Sequence, residues 1–242
     1  MILIAVATSI GGVGIPLLTE NYVKGDFKAA ARLIQDNLTM LLLFILPATI
    51  GAVLVARPLY TVFYGQPDKL ALGLFVFALI QTIILSFYTV LAPMIQALFQ
   101  NRKAIVYFLY GVVVKLILQI PLIWLFRAYG PLLSTTIGLI VPIVFMYREI
   151  RDITGLNPQN LVKRSLLTCI LTLLMIVVIA LADLLLGFFF HPAGRVSSMV
   201  YLILIGGVGI VVYGGLALRV RLLDRFVGEA KASSLRRKFH IS

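Results

Sequence analysis

The stretch YGVVVKLILQIPLIW (Tyr110–Trp124) reads as a helix that is apolar except for Lys115 and Gln119. No acidic residue lies within reach of Lys115 along the same helix. An unpaired ammonium is expensive to keep away from water, whether in a protein core or in lipid. What surrounds this helix therefore decides both the fold and the role of its lysine.

The composition indicates lipid as the surroundings. Of 242 residues, 61% are hydrophobic and only 12% are charged, and the mean hydropathy is +1.07. Soluble domains are nearer 45–50% apolar and about 25% charged. We therefore predict an all-α integral membrane protein whose spans are apolar stretches of about 20 residues.

Seven such spans are predicted along the chain. The third contains Pro93 and is expected to tilt or kink, and the fifth is short. The seven are approximately Met1–Leu18, Leu38–Thr61, Leu70–Leu98, Val106–Phe126, Pro131–Met146, Leu166–Phe190 and Met199–Leu218.

Lysine and arginine alternate between the connecting segments. The segments after spans one, three and five, together with the tail at 219–242, hold 16 of the 21 basic residues. Because basic clusters stay on the cytoplasmic side, this pattern predicts a cytoplasmic C-terminus and, with seven spans, an N-terminus outside. The same pattern accounts for the net charge of +12, and no nucleic-acid partner is predicted.

The first predicted span begins at Met1 without a basic region before it, unlike a signal peptide. We therefore expect the chain to be the C-terminal part of a longer protein.

The polar segment Thr19–Asn37 has the spacing of an amphipathic helix. Phe27, Ala30, Ala31 and Ile34 fall on one face. The segment either lies along the cytoplasmic headgroups, where Lys24 and Lys28 would touch anionic lipid, or is an ordinary loop helix. Asp36 and Asn37 are the expected caps of the span that follows.

Three stretches in order resemble the MOP flippase superfamily, which includes the MATE exporters. They are GIPLLTENYVKGDFKAAARLIQDNL, LPATIGAVLVARPLYTVFYG and PMIQALFQNRKAIVYFLYGVVVKLILQIPLIWLFRAYGPLLSTTIG. The similarity covers roughly Ile15 to Ile150. It is greatest to the branch of polysaccharide transporters, Gram-positive lipid II flippases and stage V sporulation protein B proteins.

The resemblance implies a protein of fourteen helices, in two lobes of six and a terminal pair. This chain would supply the second lobe without its first helix (1–150), the terminal pair (151–218) and a basic tail (219–242). The implied function is flipping of an undecaprenyl-diphosphate-linked saccharide across the bacterial plasma membrane by alternating access. The implied partners are membrane lipid, the lipid-linked saccharide and the missing lobe.

Lys115 and Gln119 lie one turn apart and share a face that intramembrane charge should turn away from lipid. In one interpretation they bind substrate, with the ammonium attracting the diphosphate. In a second, Lys115 joins helices through Ser134, Thr135 or backbone carbonyls, at a position where another transporter could hold a cation. A third is that its long stem reaches the membrane surface.

Asp183 is the only acidic residue deep in a span. It is interpreted either as a proton or sodium carrier, with Thr135 as the other ion-coupling candidate, or as a carboxylate near the interface that faces a polar neighbour. Gln81 and Gln96 in the third span are expected either to line a polar cavity, as substrate-binding residues, or to form interhelical hydrogen bonds.

The sequence predicts no enzyme and no cofactor. The GGVG motifs at Gly11–Gly14 and Gly206–Gly209 lack the context of a nucleotide loop. The lone Cys169 and the separated His191 and His240 indicate neither a disulfide nor a metal site. The alternatives to a flippase are a drug/cation antiporter, with Asp183 as its acidic site, and a fragment that only packs against a partner chain.

Overall fold

Helices account for nearly all of the residues that the computed structural model describes, which are 2–189 and 194–219. The nine α-helices among them are joined by short turns, one of which is the 3-10 turn Arg127–Tyr129. Their bounds are α1 Ile2–Val13, α2 Ile15–Val23, α3 Phe27–Leu54, α4 Ala56–Tyr64, α5 Lys69–Ala97, α6 Asn101–Phe126, α7 Gly130–Thr154, α8 Pro158–Phe189 and α9 Arg195–Arg219.

Five helical stretches among these residues are long and apolar enough to cross a bilayer. The longest, Asn101–Thr154, has 54 residues and contains both α6 and α7. The others are Phe27–Leu54, Lys69–Ala97, Ser165–Leu184 and Arg195–Gly215. The predicted class, an all-α membrane protein, is confirmed, whereas the predicted number of seven spans is not.

The first predicted span, Met1–Leu18, is not one helix. The chain breaks at Gly14, and α2 starts beside Pro16, which has no backbone N–H to continue α1. The 12 residues of α1 extend over only about 18 Å, less than the ~30 Å hydrocarbon core.

The amphipathic segment is also organised differently from the prediction. α3 begins at Phe27, where the Asp26 carboxylate accepts the Ala29 N–H at 2.9 Å, and it runs without a break into the apolar span. Ala30, Ala31 and Ile34, which share a face, are buried in the protein core, whereas Phe27 is 45% exposed.

Asp36 and Asn37 are therefore inside α3 and not at its N-terminus. The Asn37 amide packs where a Cβ on Gly14 would have to lie. The N-cap role predicted for them belongs to Asp26, ten residues earlier.

The second predicted span, Leu38–Thr61, breaks at Val55 between α3 and α4. Pro58 occupies the first turn of α4, where its missing N–H is tolerated. The break leaves α4 as a separate nine-residue helix.

The chain divides into two compact units. The first contains Met1–Ile45 and Gly73–Ser165. Its core joins α3, α5 and the far end of α7 through buried residues that include Ile34, Leu38, Met94, Ile95 and Ile150.

The second unit contains Leu46–Leu72 and the described residues from Leu166 onward. Its core lies between α8 and α9 around Met175, Ile179, Tyr201 and Ile205, with Val55 packed against it. The division at 150 that the family resemblance implies stays a prediction, and the basic tail at 220–242 lies outside the described residues, as do His191 and His240.

Candidate functional site

The α6–α7 hairpin brings two backbones almost into contact. A Cβ on Gly138 would lie 2.8 Å from the Lys115 Cβ and 2.9 Å from the Gly111 carbonyl oxygen. A Cβ on Gly111 would overlap the Gly138 carbonyl oxygen and lie 2.8 Å from the Pro142 Cδ. Small residues at such crossings allow membrane helices to approach closely.

Lys115 lies at this crossing. Its Cβ packs on Gly138, and its side chain is partly buried. The other side of α6 presents Leu116, Ile117 and Ile120, which are 61%, 66% and 78% exposed. The base of the lysine side chain therefore faces the following helix.

Among the described residues, the Lys115 ammonium has no hydrogen bond and no ion pair. The hydroxyls of Ser134 and Thr135 instead donate to the Pro131 carbonyl oxygen of their own helix, at 3.0 and 2.7 Å. The bond to Ser134 or Thr135 considered from sequence is thus not formed. The ammonium keeps its hydrogen-bonding capacity for another group.

Gln81 connects α5 to α7. Its amide nitrogen donates to the Leu132 carbonyl oxygen and to the Thr136 hydroxyl, both at 3.2 Å. Of the two roles considered for this residue, interhelical hydrogen bonding is the one seen. These two hydrogen bonds join α5 to α7 within about one helical turn of Gly138, the residue on which Lys115 packs.

The structure does not gather the four predicted substrate-binding residues into one cluster. Gln119 follows Lys115 on the same side of α6 and is partly buried. Gln96 is exposed near the end of α5, fifteen residues or about 22 Å of helix beyond Gln81. Of the four residues, Lys115, Gln119 and Gln81 lie near the α6–α7 crossing, and Gln96 does not.

Asp183 is exposed and accepts a hydrogen bond from the Tyr201 hydroxyl, which joins α8 to α9. It is the next-to-last residue of the apolar stretch Ser165–Leu184. Thr135, the other ion-coupling candidate, belongs to the first compact unit, whereas Asp183 belongs to the second. The Tyr201 hydroxyl is thus a polar neighbour of this carboxylate, and both the interfacial and the ion-carrier interpretation stay predictions.

A second polar cluster, which the sequence did not predict, joins α6 to α7. Lys103 pairs with Glu149 at 2.6 Å, and the Tyr107 hydroxyl donates to the other Glu149 carboxylate oxygen at 2.9 Å. The Tyr107 ring stacks on Phe145, with centroids 5.4 Å apart. Lys103 and Glu149 lie at similar distances from the hairpin turn along the two helices, which is the signal that could have paired them.

No family model matches the chain. It is 30% identical, over an alignment of 244 residues, to a protein of Bacillus subtilis (strain 168) named lipid II flippase MurJ. The alignment covers 99% of the chain but 45% of the relative, so the chain spans less than half of that protein's length. This similarity supports the flippase family predicted from the ordered motifs and does not resolve its branches.

Proposed function

We propose that the chain is part of a transporter that flips a diphosphate-linked, lipid-anchored saccharide across the bacterial plasma membrane without changing it chemically. The observation that carries the proposal is the 30% identity, maintained over 99% of the chain, with a protein named as a lipid II flippase. The multi-pass helical fold agrees with that role.

Lys115 is the residue to which we assign the diphosphate. A lysine in the middle of a membrane helix costs roughly 2.5–3.5 kcal/mol on insertion scales, and here no described protein group offsets that cost with an ion pair. A phosphate oxygen would supply the missing partner. An ammonium suits phosphate because its three donors rotate freely and require no fixed geometry.

The close helix crossing explains how Lys115 can be held for this purpose. The Cβ is fixed against Gly138, and Gln81 ties α7 to α5 from another side. Positioning a charged group on packed helices lowers the cost of orienting it when the substrate arrives. Gln119, one turn away, is placed to add an amide donor for the sugar or phosphate oxygens, and Gln96 is proposed as a more distant polar contact.

The part of the relative that the chain does not match is proposed to correspond to further helices, supplied in the same polypeptide or by a separate chain. We propose that these complete the cavity and that the bundle alternates between inward-open and outward-open states. The C-terminal tail is proposed to be cytoplasmic, as the distribution of basic residues predicts.

The test is a flipping assay in liposomes with a fluorescent lipid-linked disaccharide diphosphate, using the chain together with a segment that completes the length of the relative. We expect Lys115→Arg to retain binding and flipping and Lys115→Gln to lose at least tenfold in substrate affinity. Lys69→Gln, an exposed residue at the start of α5, is the matched charge-removal control.

Two results would count against the proposal. If Lys115→Gln flips substrate like the unaltered chain, then Lys115 has a packing role. If neither the chain nor its completed form flips the substrate under conditions in which the Bacillus subtilis relative does, the chain only packs against a partner and does not transport.

A further inference from the structure

Two turns at one end of the first compact unit are joined to each other. The Thr19 hydroxyl of α2 donates to the Ala97 carbonyl oxygen at the end of α5, at 3.3 Å. The ring of Tyr22 lies 6.1 Å from the ring of Phe99 in the α5–α6 turn and 5.9 Å from that of Phe27 at the start of α3. The turns α2–α3 and α5–α6 therefore form one surface.

That surface is apolar at its centre. Phe27, Phe99 and Val23 are 45%, 61% and 69% exposed. The backbone of Phe99 has φ +57°, a left-handed conformation. Residues other than glycine adopt it at a cost of roughly 1 kcal/mol or more. The α5–α6 turn is therefore strained at Phe99, although the ring of this residue does not enter the protein core.

Basic residues lie close to the apolar centre along the chain. Lys28 and Arg32 lie one turn apart on α3, and Arg102 follows Phe99 at the start of α6. All three are exposed, and none has an ion pair or hydrogen bond from its side chain within residues 2–189 and 194–219.

The acidic residues on this surface are already engaged. Glu20 pairs with Lys24 at 2.5 Å, and the side-chain hydrogen bond and charge of Lys24 lower the pKa of Glu20 below its ordinary value. Asp26 accepts the Ala29 N–H as the cap of α3. Asp26 keeps its negative charge, so Glu20, Lys24, Asp26, Lys28, Arg32 and Arg102 together carry a net charge of +2.

We propose that Val23, Phe27, Lys28, Arg32, Phe99 and Arg102 form an interfacial patch that docks on the headgroups of an anionic phospholipid leaflet. Exposed aromatic and aliphatic side chains gain by entering the headgroup boundary, and nearby lysine and arginine attract lipid phosphates. The patch lies at the ends of membrane-crossing helices, where this boundary must pass. The ligand is lipid of the surrounding bilayer, so the inference is separate from the transported substrate.

A local fluorescence measurement tests the patch. In the full chain, Cys169→Ser removes the only cysteine, and Val23→Cys then carries an environment-sensitive label. Quenching by nitroxide-labelled phosphatidylglycerol is compared with quenching by nitroxide-labelled phosphatidylcholine in mixed bilayers. We expect a preference for phosphatidylglycerol that weakens as chloride salt is added.

The charge variants make the test specific. Lys28→Gln/Arg32→Gln/Arg102→Gln should lower the preference by about fivefold per charge, as expected for ~1 kcal/mol per basic residue near an anionic surface. The matched control, Arg57→Gln/Lys69→Gln/Arg127→Gln, removes the same charge from exposed residues elsewhere and should leave it unchanged. Equal effects of the two triple variants would overturn the proposal, as would an unaltered protein without lipid preference.

Two further measurements separate the alternatives. Inorganic phosphate at the same ionic strength should compete no better than chloride, whereas stronger competition would mean a site for free phosphate and would refute docking on lipid. Phe99→Gly should weaken quenching by both labelled lipids without loss of thermal stability, because it removes the ring and relieves the left-handed backbone. Unchanged quenching would show that the ring does not enter the headgroup boundary.

Discussion

Gly111→Ala is expected to destabilise the α6–α7 hairpin, because the new methyl group has no room between the two helices. It would overlap the Gly138 carbonyl oxygen and lie 2.8 Å from the Pro142 Cδ, whereas ordinary contact begins at 3.4 Å. The difference between 3.4 and 2.8 Å means that the helices must separate by at least about 0.6 Å.

The magnitude follows from two opposed effects. Overpacking costs typically 1–3 kcal/mol, and alanine gains up to about 1 kcal/mol over glycine in helix propensity. We therefore expect a net loss of roughly 1–2 kcal/mol in the free energy of unfolding.

The assay is equilibrium unfolding in mixed micelles, followed by the fluorescence of Trp124, the only tryptophan, near the end of α6. Gly206→Ala is the control, because nothing lies within 4 Å of a Cβ built there. It should be neutral or slightly stabilising. If Gly111→Ala unfolds at the same denaturant concentration as Gly206→Ala or a higher one, the close crossing is refuted.

Three further predictions concern single polar contacts. Lys103→Gln and Glu149→Gln should show a coupling of roughly 0.5–1 kcal/mol in a double-mutant unfolding cycle. Zero coupling would show that the pair does not stabilise the fold. Gln81→Leu should lower the free energy of unfolding by roughly 0.6 kcal/mol per lost hydrogen bond. The control, Gln96→Leu, should lower it less, because the Gln96 side chain has no partner in the described chain. Equal losses would contradict the α5–α7 connection. Asp183→Asn should keep most flipping activity, because an amide oxygen still accepts the Tyr201 hydroxyl; complete loss together with loss of proton or sodium dependence would favour an antiporter.

The helical membrane class was predictable because the hydropathy of each segment can be read from its own residues, without knowing its tertiary contacts. The breaks at Gly14 and Val55 were not predicted. Pro16 and Pro58, which lie in the first turns of the new helices, are embedded in long apolar runs that resemble continuous spans. The apolar run begins after Asp36 and Asn37 and predicts the cap there, but α3 has a polar first part and begins at Phe27 with Asp26 as its cap.

The candidate site was predicted only as far as one helix can show. Lys115 was expected to face the bundle or the following helix, and its Cβ does pack on Gly138. The pairing of Lys103 with Glu149 depends on the register between two helices, which no single segment contains. The interhelical role of Gln81 has the same origin.

The three-residue turn Arg127–Tyr129 has a consequence for how the protein is made. α7 carries Ser134, Thr135 and Thr136 in its first half and Pro142 in its interior, so it is a weaker candidate for independent entry into lipid than its neighbours. With so short a turn, we expect α6 and α7 to leave the translocon as one hairpin, whose close crossing at Gly111 and Gly138 covers the base of the lysine. A polypeptide cut at this turn would have to insert each half alone, so the turn is a poor place to divide the chain.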